Sequence, residues 1–350
     1  MLVAAAPAYP SALNTTLPAW TGLGFQPASA EQNRPPEQAS VALIPAARPR
    51  AAFAQRTSTI NRAEISSRRA VGQYRLVNKP EWEAGIGAAY IDSFDYPGSA
   101  DANQKSLALP FFIYRSSKVR LGEGGAQAIA YETPRIKLDV SLGASLSAES
   151  SPDGVRAGME DLDFLFEFGP AINVLVFQRG LQPRESEGLS AQHHWLDGAR
   201  ARVRWKTALR AVVATDFSYI DRQGSVVSSE LEFALQRLAG GRVDLRMRLG
   251  TTWASRRLQG YFYDVPSTLQ TPARAAYTAD SGLLASEVSL GFGWRVTPAL
   301  RWFVAVDYQS FASAANRDSP LHERDSSRSL STALVWSILS SDRQVQVFDD

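Results

Sequence analysis

The chain has 350 residues, 45% of them hydrophobic, with 37 Lys and Arg against 35 Asp and Glu. A formal charge of +2 argues against a nucleic-acid partner held by bulk charge, and the absence of Cys excludes disulfides and thiolate chemistry without conflicting with an oxidising periplasm. Mean hydropathy is −0.19 and no stretch approaches the ~18 to 20 consecutive apolar residues of a spanning helix, which excludes a helical membrane protein.

Residues 1–71 are rich in Ala, Pro, Ser and Gln and carry no sustained period. An export signal is expected here, but no Lys or Arg precedes Arg34, so the basic start of such a signal is missing. Ala28-Ser29-Ala30 and Ala52-Phe53-Ala54, the latter followed by Gln55, are two small-residue cleavage candidates. The segment reads either as a degraded signal or as a disordered periplasmic tail. A packed core is expected only from about residue 72, giving a barrel domain over 72–350.

From about residue 81 to 338 a two-residue rhythm takes over. Residues 135–147 show it best: Ile136, Leu138, Val140, Leu142, Ala144 and Leu146 alternate with polar residues or Gly. A strand turns successive side chains to opposite faces, so such a segment has one greasy and one wet face. Candidate strands fall near 81–92, 105–115, 117–121, 126–132, 134–147, 162–177, 199–214, 226–237, 242–254, 284–296, 299–311 and 327–338. Several run 10–15 residues, longer than soluble strands and suited to a tilted membrane strand. The fold class is therefore all-β: an antiparallel transmembrane β-barrel of about 12 strands, with 10 as the alternative. The eight Trp, eleven Tyr and sixteen Phe suit aromatic girdles at two membrane interfaces. The third and fourth candidates could be one strand broken at Gly122-Glu123-Gly124-Gly125. An even count and short periplasmic turns favour keeping them separate, with 93–104, 148–161, 215–225, 255–283 and 312–326 outside. One connection, 178–198, is long yet falls on the periplasmic side.

The middle strands allow a sharper reading. In 201–213, Ala201, Val203, Trp205, Leu209 and Val213 face lipid, while Arg202, Arg204, Lys206 and Arg210 face inward. The next two strands turn Glu230 and Glu232, then Asp244, Arg246 and Arg248, inward; Asp163 and Glu167 lie inward on the strand before. Acid faces base on neighbouring strands, which is favourable, whereas charge on the lipid face would be costly. Such a set reads as a structural ladder filling a narrow lumen or as the lining of a selective pore.

Several motifs are recognisable in order. They are Trp82-Glu83-Ala84-Gly85-Ile86-Gly87 with Asp95-Tyr96-Pro97-Gly98-Ser99, and Leu109-Pro110-Phe111-Phe112 with Tyr114-Arg115. Gly158-Met159-Glu160-Asp161-Leu162-Asp163 follows with Glu167-Phe168-Gly169-Pro170, then Tyr261-Phe262 with Ser281-Gly282-Leu283, then Ser319-Pro320-Leu321 with Glu323-Arg324. Together these resemble the MipA/OmpV family of outer-membrane proteins (MltA-interacting protein). Departures are Tyr263-Asp264 in the fourth block and a last strand, Val335-Trp336-Ser337-Ile338, followed by a polar tail where the family ends on an aromatic. The resemblance implies an outer-membrane scaffold that links a murein hydrolase to a murein synthase, so its partners would be outer-membrane lipid and periplasmic murein-processing proteins. Other members are described as adhesion or envelope-stress proteins, so the fold does not by itself settle function.

No site for chemistry stands out. His193, His194 and His322 are the only histidines, and His193-His194 point apart in an extended segment. His322 lies near Ser319 and Ser326, a Ser, His and acid combination found in barrel lipid hydrolases, but its place in a family block favours a structural loop. Asp95-Tyr96-Pro97-Gly98 is most simply a turn. No phosphate loop, dinucleotide fingerprint or metal-ligand cluster is present. The expectation is a non-enzymatic protein without cofactor or metal, the alternative being a channel for small solutes or ions. Connection 178–198 together with the N-terminal tail, and the outer 255–283 loop, are the best candidate partner surfaces.

Overall fold

In a computed structural model of the chain, described over residues 76–348 apart from 123–124, 146, 149, 151–152, 182–193 and 197, twelve antiparallel strands close into a barrel. The barrel strands are β2 (Trp82–Phe94), β3 (Ala102–Arg115), β4 (Val119–Gly122), β5 (Gly125–Glu132), β6 (Ile136–Ser145) and β7 (Phe164–Leu181). They continue with β8 (Ala199–Thr215), β9 (Asp221–Arg237), β10 (Val243–Ala254), β11 (Gly282–Arg295), β12 (Leu300–Ser310) and β13 (Ser326–Ser340). Each pairs with its sequence neighbour, and β13 closes on β2. All twelve expected strands are present, and the ten-strand alternative is excluded because β4 and β5 form a separate short hairpin. The expected signal or tail at 1–71 and His193 lie outside the described residues.

Two further strands were not anticipated. β1 (Leu76–Pro80) pairs with β14 (Gln344–Phe348) in a two-stranded ribbon that continues the β2–β13 seam below the barrel. The polar tail after Ser340 therefore contains a strand, with Val347 buried.

Apart from the 182–198 connection, the long connections gather at one end of the barrel and the short turns, with the β1–β14 ribbon, at the other. That asymmetry assigns the first end to the outside and the second to the periplasm. Outward side chains form an apolar belt. Trp294, Trp302, Trp336, Phe177 and Tyr131 lie toward the periplasmic ends of their strands, and Trp253, Tyr308 and Phe168 toward the outer ends, all exposed on the barrel wall. Among the described residues no helix is long and apolar enough to cross a membrane; this barrel crosses with strands.

The largest cluster of buried apolar side chains sits in the outer mouth rather than in the barrel centre. It joins Leu165, Val212, Val226, Ala254 and Leu284 of the strand ends to Tyr96, Leu162, Leu258, Phe262, Tyr263, Val265 and Leu321 of the outer loops. The strands contribute the rim; the loops contribute the lid.

Candidate functional site

The lid is built around α1 (Arg256–Tyr263), which follows β10 and lays Leu258, Phe262 and Tyr263 into the mouth. The outer 255–283 segment thus contributes the lid element, its Leu258, Phe262, Tyr263 and Val265 buried in the barrel's own mouth, while residues 270–273 stay exposed. The family-like motifs carried by the outer loops, far apart in sequence, meet here. The Tyr96 hydroxyl donates to the Leu321 carbonyl at 2.7 Å, and that of Tyr263 to the Pro97 carbonyl at 2.6 Å. Ser319 Oγ donates to the Tyr263 carbonyl at 2.9 Å. The Gly98 carbonyl accepts from the Glu323 and Arg324 amides. Gly98 has φ +85°, and a side chain there would meet the His322 ring at 2.6 Å, so both backbone and packing require Gly.

Asp95, Tyr96, Pro97, Gly98, Ser99, Ser319 and Pro320 all belong to this lid, with Met159 packed against its core. Gly158 and Asp161 sit at its margin, where Asp161 accepts from the Ser150 amide at 2.7 Å. Two arginines, Arg156 and Arg274, were not singled out from the sequence. Arg156 lies 5.6 Å from the Tyr96 ring centroid and donates to the Phe262 carbonyl at 3.1 Å. Arg274 donates to the carbonyls of Val155, Ala157 and Leu269. Each ties one loop to another with charge-assisted bonds. Burial pushes the phenols of Tyr96, Tyr261 and Tyr263 well above the usual tyrosine range and the Arg156 guanidinium down. His322 packs between Tyr263 and Phe311, with Nε2 3.4 Å from Asp325 Oδ1. Ser319 is turned to Tyr263, so Ser319 and His322 are not hydrogen-bonded as nucleophile and base.

Below the lid the lumen is charged. Strand register sets Arg204 opposite Glu232, Glu232 opposite Arg248, and Lys206 opposite Glu230. Arg210 Nη1 lies 3.3 Å from Glu167 Oε2, and its Nε donates to Ser141 Oγ at 3.2 Å, so one guanidinium spans β6 to β8. Arg248 lies 3.9 Å from Glu230 and from Asp307. Arg202 and Arg246 lie on the same lumenal face, Arg202 buried.

Two expected rungs lie elsewhere. β7 begins at Phe164, so Asp163 sits above it at the outer rim and accepts from the Tyr219 hydroxyl at 2.5 Å. Asp244 is at the periplasmic rim, where it accepts from the Arg237 amide across the β9–β10 turn. Other rungs were missed. Glu83 joins Arg115 at 2.8 Å and Arg301 at 3.2 Å, and Arg120 joins Glu132 at 2.7 Å. Asp139 accepts from Asn173 at 3.1 Å, and Glu287 from Gln309 at 3.0 Å. The polar phase of the alternation marks all of these; only the register reveals their partners. Among the described residues no group of three or more His, Cys, Asp or Glu is placed to hold a metal.

An alternating twelve-stranded barrel with two aromatic girdles, a capped outer mouth and a charged lumen defines an outer-membrane β-barrel protein. The family model for MltA-interacting protein MipA matches residues 84–338, and the chain belongs to that family. No curated protein matches. Among solved structures the chain is similar to an outer membrane channel from Pseudomonas putida F1 (12% identity, 73% of this chain, 96% of that one, TM-score 0.29). It is also similar to the outer membrane protease OmpT from Escherichia coli (10%, 75%, 99%, 0.23) and to the Pseudomonas putida toluene transporter TodX (8%, 75%, 90%, 0.28). At these scores none of the three bears on function.

Proposed function

We propose that the protein is a non-enzymatic scaffold of the cell envelope, held in the outer membrane and engaging murein-processing proteins from its periplasmic end. The observation that carries this reading is the closed outer mouth: a lid with its own apolar core sits over a lumen crossed by ion pairs. A barrel so filled is suited to anchoring rather than to free diffusion. The periplasmic end offers the β1–β14 ribbon and the 182–198 connection, the latter largely outside the described residues. The family description, MltA-interacting protein, supports partners of the murein-hydrolase class.

The test has two arms. In planar bilayers the folded full-length protein should give no stable conductance steps. Periplasmic capture of a murein hydrolase and a murein synthase should weaken on deleting 182–193 while the barrel still migrates in a heat-modifiable way. The competing reading, a small-solute or ion channel through the charged lumen, would instead give steps altered by Arg204→Glu. Unchanged capture by the deletion variant would defeat the assignment of the partner surface to 182–193.

A further inference from the structure

In one sector of the wall the apolar belt continues past the outer girdle. β7, β8 and β9 are 18, 17 and 17 residues long, well beyond the roughly 9–11 residues with which a tilted strand crosses a membrane. Their outer ends are therefore expected to be wet. Phe168 of the outer girdle stands opposite Ala211. Above it the outward phase stays apolar, with Phe166 opposite Val213 and Phe164 opposite Thr215. From Phe168 to Phe164 the face climbs about 13 Å along the strand.

The outer loop 216–220, between β8 and β9, extends this face. The Phe217 ring centroid lies 5.3 Å from that of Phe164 and 6.4 Å from that of Phe166. Phe217 is nevertheless 75% exposed, and Ile220 is 76% exposed. Phe217 also has φ +73°, a backbone conformation that a bulky residue adopts only under constraint. The strained backbone keeps the ring on the outward aromatics, away from the apolar core of the lid.

The constraint is a set of side-chain bonds within the loop. The Phe217 amide donates to Thr215 Oγ1 at 2.9 Å, and that hydroxyl donates to the Tyr219 carbonyl. Asp216 Oδ1 accepts from the amides of Ser218 at 2.8 Å and Tyr219 at 3.2 Å. The Tyr219 hydroxyl fastens the loop to Asp163 on the rim. Three successive backbone amides are thus satisfied by side chains of the loop itself, which a segment entering a lipid layer requires. Register puts Arg222 opposite Val213 on the same outward face, where it is exposed. A long cationic side chain at that place can keep its stem in lipid and its head among lipid phosphates.

We propose that the 216–220 loop is seated in the outer leaflet of the membrane, with Phe217 and Ile220 among acyl chains beside Phe164 and Phe166. Continuity names the occupant: the patch is the upward extension of a wall that already faces lipid. Exposed aromatic and aliphatic side chains with a flanking cation match the boundary between headgroups and acyl chains. The barrel is thereby held in the leaflet above its girdle on the β7–β9 side, while the exposed 270–273 stretch of the lid stays in water.

The chain has no cysteine, so single-cysteine variants each report one position. Phe217→Cys and Ile220→Cys probe the loop, Leu209→Cys the lipid-facing wall and Gln270→Cys the water above the lid. Each full-length variant carries the same small fluorophore and is folded in dioleoylphosphatidylcholine vesicles, with heat-modifiable migration confirming the barrel. Iodide quenches from the water; phosphatidylcholine brominated near the ester end of its acyl chains quenches from the leaflet. Both loop labels should be quenched by the brominated lipid to an extent comparable with the Leu209 label, and by iodide about fivefold less than the Gln270 label. Iodide quenching of the Ile220 label at the Gln270 level overturns the proposal, since that variant keeps the Phe217 ring in place. Weak quenching of the Ile220 label by both reagents also overturns it, because protein rather than lipid would then cover the loop.

Discussion

The hydroxyl of Tyr263 donates to the carbonyl of Pro97 at 2.6 Å, joining the end of the lid helix to a turn 166 positions earlier. Both groups are buried, so neither has water as an alternative partner. Tyr263→Phe leaves the Pro97 carbonyl unsatisfied and should cost about 1–3 kcal/mol. The lid should loosen before the barrel does. Limited proteolysis should cut the outer loops of the variant faster, while the heat-modifiable band persists; loops cut at the wild-type rate would sink the assignment.

The lid also sets an alkaline limit. Its buried phenols are held neutral, as described above, and Tyr219 is raised to about 12 chiefly by donating its hydrogen bond to Asp163. A raised phenol contributes stability that is complete below its unfolded value, about 10, and is lost as pH rises through the folded value. The tyrosinate absorbance of wild type minus Tyr219→Phe should therefore show a midpoint near 12. A midpoint at the ordinary tyrosine value would show that the Asp163 bond does not form.

Arg210 and Glu167 form a buried pair in the lumen. Removing one partner leaves the other charge without its counterion, at a cost of about 3–5 kcal/mol, whereas replacing both by apolar residues of similar size is often tolerated. Glu167→Leu and Arg210→Met should each lower the urea midpoint of the barrel in vesicles, and the double variant should recover much of the loss. Additive losses would mean that the two groups do not interact.

Gly122 ends β4 with φ +108°, and a side chain there would meet Ile113 at 2.6 Å. Gly122→Val combines a disfavoured backbone with a clash and should cost about 1–3 kcal/mol. The damage should concentrate in the β4–β5 hairpin. Faster amide exchange over 119–132 than elsewhere in the barrel is the expected signature; uniform exchange would contradict it.

Twelve strands were legible because the alternation is local. Residues 136–145 declare their two faces whatever lies beside them, since successive side chains of a strand point to opposite sides. The same logic placed Arg204, Lys206, Glu230 and Glu232 in the lumen, and it failed at Asp163, where the strand starts two residues later than the pattern implied. The β1–β14 ribbon was illegible because neither five-residue segment is long enough to show a period.

Chain alternation alone thus determined the class of protein, its membrane-facing surface and the charged character of its lumen, because these depend on side-chain direction within a strand. Which carboxylate meets which guanidinium depended on register. That Tyr96, Gly98, Tyr263, Ser319 and Leu321 form one lid emerged only when the barrel closed. Closure brings together segments more than a hundred residues apart, and no local period records how far each hairpin reaches up the wall.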